Sequence, residues 1–178
     1  KILEYFKEQK RLGRIKHLGF STHGQLDTMA RFLEICGEDM EFCQIQLNYL
    51  DWTLQDAKGK VELLKQYNIP VWVMEPVRGG RLVNLSKQQS QRLMALRPEE
   101  SIASWGFRFL QGIDNVTMIL SGMSNLTQMQ DNLKTFCTDK PLSKEEIQVL
   151  LDMAEEMKNS IPCTGCRYCT EGCPMGLN

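Results

Sequence analysis

Four short apolar runs, Ile15–Phe20, Phe42–Leu47, Val71–Met74 and Val116–Leu120, recur along the chain with an amphipathic stretch between each and the next. Each run is mainly apolar, read as continuous rather than alternating, as a strand covered on both faces is, and too short for a helix. The intervening stretches keep helical spacing. Leu26, Met29, Ala30 and Leu33 share a face up to Gly37, and Ala57–Tyr67 sets Val61, Leu64 and Lys65 in register. Ser86–Leu96 is followed by Ser101–Leu110, with Ile102, Trp105, Phe109 and Leu110 on one stripe. A helix over Lys1–Leu12, capped by Gly13, precedes the first strand, and Leu126, Met129, Leu133 and Phe136 line one side of a helix after the fourth. Ser143-Lys144-Glu145-Glu146 is a capping box that opens a last amphipathic helix, with Ile147, Leu150, Leu151, Ala154 and Met157 inward. Strands that alternate with helices argue for a parallel sheet of βαβ units, an α/β fold with four parallel strands.

Polar and glycine-rich residues gather just past each strand: Ser21-Thr22-His23-Gly24, Gln46-Leu47-Asn48, Glu75–Arg81 and Ser121–Asn125. In α/β folds ligands sit at the carboxyl ends of the strands, so these four loops are expected to share one site. His23, at a strand end, is either a substrate contact or a solvent-facing histidine.

The end of the chain carries a different signal. Cys163, Cys166, Cys169 and Cys173 stand at spacings of two, two and three intervening residues, and Pro174 follows the last. That is the run by which bacterial ferredoxins hold a 4Fe–4S cluster. Gly165 and Gly172 allow the tight turns it needs. A structural zinc site usually takes two CxxC pairs separated by a longer gap, and a disulfide framework needs an oxidising compartment. Zinc and disulfides therefore stay as alternatives behind the cluster. In two-cluster ferredoxins the fourth cysteine serves the other cluster, so Cys173 either closes this cluster or belongs to a second one.

The 178 residues suffice for one domain with a real core, and 42% apolar with 24% charged residues is ordinary for a globular chain. A net charge of −1 implies neither nucleic acid nor an acidic membrane as partner. No apolar run approaches the ~20 residues needed to cross a bilayer. Seven cysteines without an export signal point to a reducing compartment, so a cytoplasmic location is expected. Cys36, Cys43 and Cys137 are expected in the core. The chain opens at Lys1-Ile2-Leu3-Glu4, which reads as mid-helix, and is expected to be a piece of a longer protein.

Four segments resemble the aldo/keto reductases, in the bacterial branch with a ferredoxin-type extension. They are Gly13-Arg14-Ile15-Lys16-His17-Leu18-Gly19-Phe20-Ser21, Gln44-Ile45-Gln46-Leu47-Asn48-Tyr49, Val73-Met74-Glu75-Pro76-Val77-Arg78-Gly79-Gly80, and Ser121-Gly122-Met123-Ser124-Asn125 running on to Asp131-Asn132. In order and spacing they are similar to the fifth to eighth strands of that family's (β/α)8 barrel. The expected organisation is the C-terminal half of a TIM-type barrel over 1–142, an extra helix over 143–160 and a Cys-rich iron–sulfur tail over 161–178.

The resemblance implies a nicotinamide dinucleotide, NADP or NAD, lying across the strand ends. Ser21 and Gln46 would hold the nicotinamide carboxamide, which needs both a donor and an acceptor. Glu75, Arg78 and Gly79 would lie near the pyrophosphate, where arginines and glycine amides suit anionic oxygens. Gly122, Met123 and Ser124, at a helix N-terminus, would receive the adenosine ribose, with Gln128, Asp131 and Asn132 toward adenine. Thr22 stands where the family has asparagine, and Met74 where it has a ring that stacks on nicotinamide. Gly122, Met123 and Gln128 replace the basic residues that grip the 2′-phosphate.

The family's catalytic Asp, Tyr, Lys and His, which come from the first half of the barrel, have no counterpart here. Its Tyr protonates the carbonyl oxygen of a small carbonyl or alcohol substrate. Tyr5, Tyr49, Tyr67 and Tyr168 lie in the wrong segments, so no turnover is expected from this chain alone. The competing functions are an iron–sulfur electron-transfer module with its own protein partner and a dinucleotide-binding fragment without chemistry. Four strands cannot close an eight-stranded barrel, and open sheet edges recruit partners. The chain is therefore expected to self-associate in light scattering, and a monodisperse monomer would count against that.

Overall fold

All four strands run parallel, in the spatial order β1-β2-β3-β4. They are β1 (Gly19–Thr22), β2 (Phe42–Gln46), β3 (Val71–Met74) and β4 (Val116–Ile119). The computed structural model describes residues 1–158, 170 and 172–175. The register places Phe20 beside Cys43, Cys43 beside Val71 and Val71 beside Val116, with an irregularity between Val71 and Trp72. Helices α1 (Ile2–Arg11), α2 (Leu26–Cys36), α3 (Asp51–Leu54), α4 (Ala57–Gln66), α5 (Lys87–Leu96), α6 (Ile102–Gln111), α7 (Leu126–Phe136) and α8 (Lys144–Lys158) precede, connect and follow the strands. The expected α/β order is present. The first strand, however, begins four residues later than its apolar run suggests, which carries Ser21 and Thr22 into the strand. The short α3, on a stretch without helical periodicity, escapes a sequence reading altogether.

Burial along the strands alternates, where continuous apolar runs predicted full cover. Cys43, Ile45, Val71 and Val73 are buried against Met29, Leu33, Leu64, Trp105 and Leu110 in one core. Phe42, Gln44, Gln46, Trp72 and Met74 on the other face are only half-buried, although the Phe42 and Trp72 rings stack with centroids 3.9 Å apart. A parallel sheet is usually covered on both faces; here helices cover one. Leu150, Met153 and Ala154 fasten α8 into the same core.

The outer helices show the same incompleteness. Leu126 and Leu133 on α7 are 70% and 50% exposed, so the apolar side of this helix faces out. What α7 turns inward is polar: Thr135 is buried, and Asp131 accepts from the Ser101 hydroxyl at 2.6 Å. On α1, Ile2 and Tyr5 are likewise 78% and 60% exposed. These two helices precede β1 and follow β4, the strands with unpaired edges. Cys43 lies in the core as expected, and burial pushes its thiol up to about 12. Cys36 is half-buried, and Cys137 is exposed at the end of α7 rather than in the core.

Local chemistry sets the boundaries. Gly13 (φ +71) closes α1, and its amide donates to Lys10 O at 2.9 Å. Ser86, Ser101 and Asn125 each accept a backbone N–H of the following helix. The Ser143–Glu146 capping box forms as predicted, with N–H to carboxylate at 2.8 Å and N–H to hydroxyl at 3.2 Å. Arg108 pairs with the buried Glu100 at 3.1 Å and donates to the carbonyls of Thr138 and Lys140. Arg97 grips Glu146 at 2.6 Å and lies over the Trp105 ring. These two arginines clamp the link between α7 and α8 onto α6.

Burial raises the Glu100 carboxyl, but hydrogen bonds from Arg108 and Ser104 and the Arg108 and Lys140 charges more than offset it, leaving it below its ordinary 4.5. The bond from Arg97 likewise lowers Glu146, against a smaller opposing effect of burial. A carboxyl held low by folding stabilises fully above its unfolded value, and that stability is lost as pH falls through the folded one. Melting temperature is therefore expected to hold near neutrality and to fall below about pH 4.5. Glu100→Gln, which strands the buried Arg108, is expected to cost about 3 kcal/mol at neutral pH and to flatten that acid slope in thermal melts.

Candidate functional site

The carboxyl ends of β2 and β3 are joined by a buried polar knot. After Gln46 the chain turns through Leu47–Leu50 into α3. Asn48 is fully buried, and its Oδ1 accepts the amides of Leu50 and Asp51 at 3.1 and 2.8 Å. Its Nδ2 donates to Asp51 Oδ2 at 2.7 Å and to the Glu75 carbonyl at 2.9 Å. The fully buried Asp51 also accepts from Gln46 Nε2 at 2.7 Å, and its Oδ1 takes Nη1 of the buried Arg78. A buried carboxylate needs a partner and filled lone pairs, and both needs are met here. Sequence reasoning placed Asn48 in a strand-end loop without a role of its own, and missed Asp51. The available signal was an amide and a carboxylate three residues apart inside the otherwise apolar Leu47–Trp52.

This knot pins the loop after β3. Glu75 (φ +58) and Arg78 (φ +50) adopt the left-handed region beside Gly79 (φ +59) and Gly80 (φ +87). Two non-glycine residues so close together in that region are strained backbone, held by the Asn48 bond to Glu75 and the Asp51 pair with Arg78. The amides of Arg78, Gly80, Arg81, Leu82, Val83 and Asn84 are spent on carbonyls within the loop. Among the described residues the Gly79 amide meets no acceptor, and neither does that of Val77, so Gly79 offers one of the loop's N–H groups open to an anion.

Beyond β4, the Ser121–Asn125 loop meets the start of α7. Asn125 Oδ1 accepts Gln128 N–H at 3.0 Å, Gln128 Oε1 accepts Ser124 N–H at 2.7 Å, and Asn132 Nδ2 donates to Ser121 Oγ at 3.0 Å. The amides of Leu126 and Thr127 remain open among the described residues, at the positive end of the helix dipole. Between the two loops lies a cleft of about 530 Å³. Among the described residues its lining contains no lysine or arginine and one carboxylate, Glu75.

Glu75, Gly79, Gly122, Met123, Ser124, Gln128 and Asn132 thus come together, with Met74 at the cleft wall. Arg78 does not join them, because its guanidinium is buried on Asp51. Asp131 does not either, because its carboxylate ties α7 to Ser101. Ser21 and Gln46 sit on neighbouring strands on the same sheet face as Met74, since Ser21 registers with Gln44, and Gln46 with Met74. Thr22 turns its hydroxyl to the Gly24 amide at 2.9 Å. His23 is exposed and lines a separate 240 Å³ cleft with Asp56 and Lys60. A further cleft of about 580 Å³ follows β4 and the end of α7, away from these strand ends. Cys163, Cys166 and Cys169 lie outside the described residues. Cys173, half-buried, donates its amide to Thr170 O at 3.2 Å. Among the described residues no group of His, Cys, Asp or Glu stands together as a metal site.

Arg78→Ala is expected to leave Asp51 buried and unpaired, lowering stability by about 3–5 kcal/mol in denaturant unfolding. An unfolding midpoint equal to that of the parent chain would show that the guanidinium is not committed inward.

Several comparisons bear on these features. The family model described as the aldo/keto reductase family matches residues 1–155. No curated protein sequence matches the chain. Among solved structures, an aldo-keto reductase from Bacillus halodurans in its holo form superposes with a TM-score of 0.67 at 20% identity, covering 85% of this chain and 54% of its own. A thermostable aldo-keto reductase in complex with the inhibitor epalrestat gives a TM-score of 0.69 at 20% identity, with 85% and 53% covered. An aldose reductase from Giardia lamblia gives 0.68 at 14% identity, with 86% and 50% covered. The chain therefore spans about half the length of the structures it matches. With the family model running from the first residue of α1's flank into α8, this chain belongs to the aldo/keto reductase family.

Proposed function

We propose that this chain is the dinucleotide-holding half of an aldo/keto reductase-type oxidoreductase, which moves a hydride between a nicotinamide cofactor and a small carbonyl or alcohol. The observation that carries this reading is one cleft, on the carboxyl side of a parallel sheet, walled by the Glu75–Gly80 loop and the start of α7. Such a position is where α/β folds receive nucleotides. When bound, nicotinamide supplies or accepts the hydride. The residues here would bind and orient it. The Ser21 hydroxyl and the Gln46 amide oxygen present a donor and an acceptor to its carboxamide. The Gly79 amide faces the pyrophosphate in place of Arg78. Ser124 and the open amides of Leu126 and Thr127 face the adenosine ribose, with Gln128 and Asn132 toward adenine.

The acid that protonates substrate would come from the other half of a barrel. Tyr49 cannot serve, since burial raises its phenol far above the working range and leaves its hydroxyl without a partner among the described residues. Residues Cys163, Cys166, Cys169 and Cys173 would hold a 4Fe–4S cluster; four soft thiolates at that spacing suit iron–sulfur ligation. The free edges of β1 and β4, with the exposed stripes of α1 and α7, would pair with a second copy or with the missing half.

No cation lines the cleft among the described residues, so a 2′-phosphate gains no partner from them. Calorimetric titration is expected to show NADH bound at least as tightly as NADPH. Met123→Arg is expected to improve NADPH affinity about tenfold and NADH little. Binding of neither dinucleotide would sink the proposal. The cluster is tested separately, by visible thiolate-to-iron absorption after anaerobic reconstitution and its loss in Cys166→Ser.

A further inference from the structure

We propose that the 240 Å³ cleft at the exit of β1 binds a small oxyanion, a carboxylate or phosphate group seated on Lys60. Lys60 lies one turn into α4 and is only 5% exposed. The other two lysines of α4 have partners, Lys58 with Glu62 and Lys65 with Asp114. Lys60 has none among the described residues. Asp56, four residues earlier and its natural partner on a helix, turns its carboxylate to the Gly59 amide at 3.3 Å instead. The Cys43 thiol, which feels the Lys60 charge from inside, is pushed up to about 12 by burial and stays neutral, so it supplies no countercharge. A surface lysine carries its amine into water. This one is covered along nearly its whole length, and a buried ammonium without a partner is costly. Its nitrogen is not sealed in, however, so it opens into the cleft that Lys60 lines.

The rest of the lining suits an anion. Gln25 and Asp56, the residues at which α2 and α4 begin, both line the cleft, which therefore sits at the positive ends of two helices. No side chain caps α2. The Gln25 and Gln55 amides and the His23 ring add N–H donors. Asp56 is the lining's one carboxylate among the described residues, and its bond to Gly59 offsets part of its charge. A drug-sized ligand needs upwards of about 300 Å³, so the cleft fits a small anion or an anionic end group. It shares no described residue with the cleft between the Glu75–Gly80 loop and α7.

The test is phosphorus NMR of inorganic phosphate and carbon NMR of acetate, each titrated with the full chain at constant ionic strength. Saturable line broadening is expected, and the tighter of the two probes identifies the group, phosphate or carboxylate, that the site takes. Lys60→Met keeps the apolar stem and removes the charge. It is expected to weaken that anion at least about tenfold and, without the anion, to melt no lower than the parent chain. Gln25→Glu, on the exposed rim, sets a second carboxylate in the cleft; it is expected to weaken the anion about fivefold and to leave the melt unchanged. NADH affinity is expected to be the same in both variants as in the parent. The inference is overturned if neither anion binds, if Lys60→Met binds as tightly as the parent, or if NADH displaces the anion, which would place it in the other cleft. Should circular dichroism show Lys60→Met unfolded, Gln25→Glu decides alone, and an anion bound there at full strength overturns the inference.

Discussion

A parallel sheet buries its strands by packing helices on both faces, and this one is covered on only one. Cys43, Ile45, Val71 and Val73 have their full complement of neighbours, while Phe42, Gln44, Gln46, Trp72 and Met74 share a face that is half open. Much of the rest follows. The half-open face keeps polar and aromatic residues together, with Phe42 stacked on Trp72 and Gln44 reaching the Met74 sulfur at 3.6 Å. Among the described residues the sheet has two unpaired edges, and the helices next to them in the chain turn apolar stripes outward. An exposed face of this kind is unusual on an isolated domain and ordinary on a part that meets another part.

Against that open face, the exits of β2 and β3 are tied together by the buried polar bonds of Asp51, Asn48 and Arg78. They also hold a loop whose backbone would not otherwise adopt left-handed angles at Glu75 and Arg78. Rigidity there suits a site that must present fixed donors and acceptors to a ligand. On the far side, α7 contributes through its N-terminus and its polar face. Its role in the fold is to hold Ser121–Ser124 in place through Asn125, Gln128 and Asn132.

Much of this was legible before any coordinates. The period of the apolar residues and the placement of Ser86, Ser101, Asn125 and Ser143 located the strands and helix starts to within a few residues, because capping and strand burial are local. The clustering of Glu75, Gly79, Gly122, Met123, Ser124, Gln128 and Asn132 was also foreseeable, since parallel strands put successive loops on one side. The place of Arg78 was not legible for a physical reason: an arginine in a glycine-rich loop suits an anion in solvent or a carboxylate inside, and the choice depends on Asp51, 27 residues earlier in the chain. Asp131 and Ser101, 30 residues apart, pose the same problem.

What the order of residues decided by itself was the class of the fold and the side of the sheet on which loops gather, both of which rest on short-range spacing. Tertiary structure alone decided which face of α7 turns inward, where the Arg78 charge goes and how the Gln46 amide is oriented. Each of those outcomes is settled by partners distant in sequence, through burial and pairing energies that no local pattern encodes.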